Sequence, residues 1–151
     1  MLQDHISLKL RHEKFVKQVC ETGIVYGLRS EEGFATSSSN DQEDDDGEAI
    51  EVICFWSEAA AAGVCIKNDR AEYKVAEIAL PDFIENWCIG MNNDNLLAGT
   101  DFDHNMFGFE TEPLELALAL INELKANKSD IAFQKFHDLN DLEQQIMDAN
   151  G

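Results

Sequence analysis

Four histidines (His5, His12, His104 and His137) and four cysteines (Cys20, Cys54, Cys65 and Cys88) are the side chains here that could move protons or attack a carbonyl near neutral pH. Nucleophilic catalysis needs a Ser or Cys beside a His that an acid holds in place. The histidines fall in the N-terminal region, on an expected helix, in a turn and in the tail, and no GxSxG elbow presents a serine. Cys88 could be paired with His104, but any cysteine and any histidine would pair as well. The cysteines lie far apart with no CxxC, unlike the close pairs of a zinc site or the density of a disulfide-stapled domain. Each sits on an apolar face and reads as a buried thiol packed like a small hydrophobe.

Phosphate and metal chemistry fare no better. The nine glycines form neither GxGxxG nor GxxxxGK[ST], so no backbone cradle for a phosphate is written in the chain. The run Asp41 to Glu48 suggests calcium, which an EF-hand loop binds through acids at positions 1, 3, 5 and 12 around a Gly at 6. Setting Gly47 at position 6 places Asp44 and Asp46 correctly but puts Gln42 at 1 and Ile53 at 12, so the bidentate carboxylate is missing. Trp56 and Trp87 could line a ligand pocket, but both fall on apolar faces, where packing is their ordinary work. The expectation is no catalytic, cofactor-binding or metal-binding residue, and no cofactor.

Charge is the extreme property. Thirty acidic against eleven basic residues give −19, and residues 31–60 hold ten acids with no Lys or Arg. Residues 91–120 hold six acids and again no base, whereas residues 1–30 carry five bases against three acids. Such a surface repels nucleic-acid phosphates and anionic lipid, so neither nucleic acid nor membrane is an expected partner. It attracts a basic protein instead, and Asp41, Glu43, Asp44, Asp45, Asp46 and Glu48 are the expected contact surface. The longest apolar run, residues 59–66, is far short of the roughly 20 residues that cross a bilayer. The N-terminus has neither the apolar stretch nor the cleavage site of a signal peptide, so the cytoplasm is the expected compartment.

These features must be carried by elements that hydrophobic period and turn chemistry define. Leu8, His12, Phe15, Val16, Val19 and Cys20 share one helical face, which predicts a helix over 8–21 capped by Ser7 and closed by Gly23. Strands are predicted at 24–28 and 33–36 as a hairpin, at 49–56, at 72–79, and at 95–99 and 106–110 as a second hairpin. Ser57 is expected to cap a short helix through the alanines that Gly63 closes. Pro81 opens a helix over 81–90, the strongest helical spacing in the chain, and Pro113 opens another over 113–126. Residues 37–48 contain no apolar side chain, which predicts a solvated, flexible loop whose deletion leaves stability nearly unchanged. Beyond residue 126 a helical extension to 151 is expected, broken near Asn140, with Asn140-x-x-Glu143 as a capping box. Phe15, Val19, Phe34, Phe55, Trp56, Phe83, Trp87, Leu118 and Ile121 are the expected core. The class is α+β: one domain over 1–151, with a mainly antiparallel or mixed sheet of about five to six strands flanked by helices.

The order Phe15-x-x-x-Val19, Tyr26-Gly27-Leu28, Gly33-Phe34-Ala35, Phe55-Trp56-Ser57 and Leu80-x-Asp82-Phe83-Ile84-x-x-Trp87 resembles a bacterial family, domain of unknown function 2750. Gly99, Gly108 and Pro113-Leu114 fit the family's closing hairpin and helix, and the resemblance covers residues 8–124. The acidic run at 37–48 is longer than the family's turn there, and the tail after Lys125 is additional. The resemblance implies a compact bacterial α+β domain and brings no established activity, so no site residue is transferred. Two functions follow as expectations. The first is a non-enzymatic protein-binding or regulatory domain of the bacterial cytoplasm. The second is an acidic inhibitor of a basic enzyme, either an immunity protein or a mimic of nucleic-acid charge. An enzyme whose mechanism leaves no motif ranks third.

Overall fold

The computed structural model describes residues 2–31, 33–66, 72–103, 108–128, 133 and 138–150. A seven-stranded mixed sheet carries helices on one face and a thinner cover on the other. The chain runs α1 (Leu2–Thr22), β1 (Ile24–Ser30), β2 (Gly33–Phe34), β3 (Thr36–Glu43), β4 (Ala49–Trp56) and α2 (Ala59–Gly63). It continues with β5 (Lys74–Ala79), α3 (Leu80–Asp82), a π-helical segment (Phe83–Cys88), α4 (Ile89–Asn93), β6 (Leu97–Thr100), β7 (Phe109–Thr111), α5 (Pro113–Ala126) and α6 (Leu139–Asn150). Among the described residues all pairings are antiparallel except β4 with β6, which run in the same direction.

Strand alternation sorts the core into two halves. From β4, Phe55 joins Phe15, Val19, Phe83, Ile84, Leu120 and others under α1, the π segment, α5 and α6. Its neighbours Val52, Cys54 and Trp56 face the other way, toward α2, Leu28, Leu97 and Phe102. A strand covered on both faces reads as an unbroken apolar run, and the Val52–Trp56 half of β4 is legible for that reason. Gly23, at φ +76, makes the left-handed exit from α1. All four cysteines are buried. No helix of the described residues is long and apolar enough to cross a membrane.

The structure corrects several expectations. No Pro or Gly interrupts residues 2–7, so α1 begins at Leu2 and Ser7 lies inside it. The predicted loop at 37–48 is half strand: β3 pairs with β4 through Thr36↔Ile53, Ser37↔Val52 and Ser38↔Glu51, with a bulge before Glu43↔Ala49. Backbone ladders need no apolar side chains, and an edge strand is commonly polar. Deleting 37–48 would therefore remove β3 rather than spare the fold. The regular helix predicted over 81–90 is π-helical at its centre. The apolar spacing from Leu80 to Met91 suits either geometry, so it could not show the wider turn. Asn140 is inside α6 rather than capping it; the Asp138 carboxylate accepts the Asp141 N–H at 2.9 Å. Phe34, Trp87 and Leu118 are half-buried against the core, whereas Phe15, Val19, Phe55, Trp56, Phe83 and Ile121 are fully inside it. His104, His137 and the turn at 104–107 lie outside the described residues.

Candidate functional site

Two polar regions arise from the sheet. The first is at the carboxyl ends of its one parallel pair. Register Phe55↔Thr100 brings β4 and β6 to an end together, so Ser57 and Asp101 follow side by side. Asp101 turns the chain at φ +48, a region that Asp tolerates better than most residues, and its N–H donates to the Phe55 carbonyl at 2.9 Å. Its carboxylate accepts the Ser57 N–H at 2.9 Å and the Ser57 hydroxyl at 3.0 Å. That engagement explains why Ser57 does not cap α2, which starts after Glu58 without a side-chain cap. From α1, the Arg11 guanidinium reaches the Asp101 carbonyl at 3.5 Å, and His12 Nδ1 lies 2.8 Å from the Thr100 hydroxyl. The His12 ring stacks on Phe109 at 4.2 Å. Trp56 Nε1 donates to the Phe102 carbonyl at 2.9 Å and locks the segment after Asp101.

A cleft of about 270 Å³ opens here, lined by Arg11, Lys14, Ser57, Glu58, Asp101 and Asp103 among others. Burial pushes the His12 ring down to about 4, against the raising effect of Glu13, so the imidazole is neutral at pH 7. Burial likewise raises the Asp101 carboxyl, aided by Glu58 and opposed by the Ser57 hydrogen bonds and Arg11. A serine relay places an imidazole between hydroxyl and carboxylate. Here Ser57 donates straight to Asp101, and His12 is engaged with Thr100. The arrangement pins α1 and the strand ends together.

A raised carboxyl favours the protonated folded state. Its stability contribution is present below the ordinary value of 3.8 and is lost as pH rises through the raised value. Ionised Asp101 is thus carried at a cost at neutral pH. Asp101→Asn keeps an acceptor for Ser57 and tolerance of positive φ while removing the charge. Urea melts at pH 7 should find it as stable as the natural protein or up to about 1 kcal/mol better. Asp101→Ala should lose about 1–3 kcal/mol, because Ser57 loses its acceptor. A loss for Asn as large as for Ala would show that the charge itself holds the junction.

The second region contains the acids singled out from the sequence. Glu43 ends β3, and Asp44 to Glu48 form the turn into β4. This turn is built, not slack. Asp44 Oδ1 accepts the N–H groups of Asp46 and Glu48 at 2.9 and 3.0 Å, Gly47 N–H donates to the Asp44 carbonyl, and Gly47 sits at φ +81. That is the type I turn followed by a left-handed residue common in three-residue hairpin loops. Glu43, Asp44, Asp45, Asp46 and Glu48 are all exposed; the side chain of Asp41 lies outside the described residues. Pairing of Val52 with Leu97 sets the turn after α4 beside this hairpin. Between them lies a cleft of about 570 Å³ lined by Glu43, Asp44, Asp45, Glu51, Asp94 and Asn95 together with Ala49 and Ile50. Sequence reasoning missed Glu51 and Asp94. Glu51 is the one acid at an outward position of an otherwise apolar strand, and Asp94 sits in the polar stretch Asn92-Asn93-Asp94-Asn95, a turn signal between the helix predicted over 81–90 and the strand predicted over 95–99. Among the described residues no group of three His, Cys, Asp or Glu side chains is placed to hold a metal ion.

Fold and surface together define an α+β domain with one helical face and an acidic concave edge. The chain belongs to the family described as protein of unknown function (DUF2750), which matches residues 12–120. The match includes both polar regions apart from Arg11 and leaves α6 outside. No curated protein and no solved structure matches the chain.

Proposed function

We propose that this is a non-enzymatic protein-binding domain that takes a basic partner on the face formed by the β3–β4 hairpin and the Asp94 turn. One observation carries the reading: the 570 Å³ cleft is lined by five carboxylates and, among the described residues, by no Lys or Arg. Its walls come from residues 30–66 and 75–124, two stretches without a Lys or Arg, which the sheet brings together. A concave, single-signed surface concentrates oppositely charged groups and speeds their association. The hydrogen-bonded turn presents the acids on a fixed frame, which lowers the ordering cost on binding. The net charge of −19 also suits the second reading, an acidic inhibitor of a basic enzyme. The bacterial cytoplasm is the setting we propose, where buried thiols stay reduced.

The test is stopped-flow association with a fluorescent arginine-rich peptide at several salt concentrations. The variant Glu43→Gln, Asp45→Asn, Glu51→Gln, Asp94→Asn spares the turn-capping Asp44. Association should slow by about tenfold or more at low salt, with the difference shrinking as salt rises. Equal association rates for the variant and the natural protein would sink the proposal.

A further inference from the structure

A mainly apolar groove of about 320 Å³ adjoins the acidic cleft, lined by Ile53, Trp87, Gly90, Met91 and Leu96, with Asn86 and Asp94 as its polar residues. Asp94 lines both depressions, so they meet at one residue. The helical side of the groove comes from the π-helical segment and α4. The π-helical segment Phe83–Cys88 leads straight into α4, where Gly90 has no side chain; a Cβ built there would meet nothing within 4 Å. π segments are uncommon and often mark functional positions. Trp87 packs edge-on against Phe34, with ring centroids 4.5 Å apart, and against Phe55 at 5.8 Å, yet remains only half-buried beside the groove. A partly exposed indole with an aliphatic floor and a charged rim is the form of an anchor pocket at a protein interface.

We propose that this groove docks one bulky aromatic or aliphatic side chain of a basic protein segment, whose flanking Lys or Arg residues reach the adjoining acidic cleft. The occupant follows from charge complementarity. Both depressions are walled by stretches that contain no Lys or Arg, so a segment crossing from one to the other is favoured when it is basic and disfavoured when acidic. A second copy of this chain carries −19 and is repelled on net charge. The inference rests on the acidic-face reading and adds the anchor to it.

Three labelled peptides separate the two ideas: one Phe flanked on both sides by Arg, the same peptide with Phe→Ser, and the Phe peptide with Arg→Gln. The protein variant is Gly90→Phe, which fills the groove from an open helical position and removes no core side chain; its fold is checked by circular dichroism and melting temperature. The Phe–Arg peptide should bind the natural protein at least about tenfold tighter than its Ser version. Gly90→Phe should reduce the Phe–Arg peptide to the affinity of its Ser version and leave the Ser version unchanged. A readout that needs no variant is tryptophan emission: Trp56 is fully buried, so a blue shift with the Phe–Arg peptide and none with the Ser version reports Trp87 being covered. Equal affinity of the Phe and Ser versions, without a shift, overturns the groove and leaves the acidic face standing. If neither arginine peptide binds at low salt, the acidic face falls and the groove falls with it. Tight binding of the Gln version means a neutral apolar occupant and overturns the basic one. Self-association in sedimentation that Gly90→Phe abolishes would assign the groove to a second copy and overturn it too.

Discussion

Phe55→Ala is expected to cost about 3–5 kcal/mol, the range for deleting a large aromatic from a packed core. Phe55 is fully buried on β4, with its ring edge-to-face against Phe83 at 4.8 Å and against Trp87 at 5.8 Å. It touches the sheet on one side and the π-helical segment on the other, two elements too stiff to close over a void. Domains of this kind carry about 5–15 kcal/mol in all, so the variant should melt far earlier and could unfold in part at 37 °C. Trp87→Ala is the informative partner. Its ring is larger, but part of its surface faces water in the folded state, so its loss should be nearer about 2 kcal/mol. Chemical denaturation of both variants gives the comparison. A Trp87 penalty equal to that of Phe55 would make Trp87 a core residue and remove the wall of the proposed groove.

Acid should expose His12. Its pKa falls from 6.5 to about 4 on folding, chiefly through burial. Between those values the unfolded chain takes up a proton that the folded chain refuses. Stability is therefore present above pH 6.5 and is lost as pH falls toward 4. The full separation corresponds to about 3 kcal/mol, and the ring's remaining solvent contact reduces this to about 1–2 kcal/mol. His12→Gln retains a polar group near Thr100 and removes the titration. It should lessen the fall in unfolding free energy as pH drops from about 6.5 toward 4.5, and the difference between the two proteins isolates His12 because the carboxylates that titrate in the same window are common to both. A His12 ring resonance that titrates near 6.5 in the folded protein would contradict the burial argument.

Much of the fold was legible because burial writes itself into spacing. The faces of α1 and α5, the doubly covered strand β4 and the proline at the start of α5 each leave a pattern that physics reads one way. What stayed hidden depends on partners distant in sequence. Ser57 looks like a helix cap until Asp101 arrives beside it across the parallel pair β4–β6. Ser37 to Glu43 look like coil because a polar edge strand is stabilised by its backbone, which composition does not record. The π-helical turn shares its apolar spacing with an ordinary helix. The acidic face was half legible: its hairpin acids stand in one run, whereas Glu51 and Asp94 join them only once Val52 pairs with Leu97. The groove was not legible at all, since Trp87 on an apolar face reads as core until its exposure is known.

The most direct test of the central claim is to map where basic chains bind. An ¹⁵N-labelled sample of the natural protein would be titrated with an arginine-rich peptide at physiological ionic strength and followed by amide chemical shifts. Saturable shifts confined to Glu43–Glu51 and to Asp94 and Asn95 are the predicted result, with Asp148 on α6, an acid remote in sequence from the cleft, unmoved. Shifts spread over acids throughout the molecule, α6 included, would mean that the charge acts as a diffuse cloud and that the cleft is no binding site.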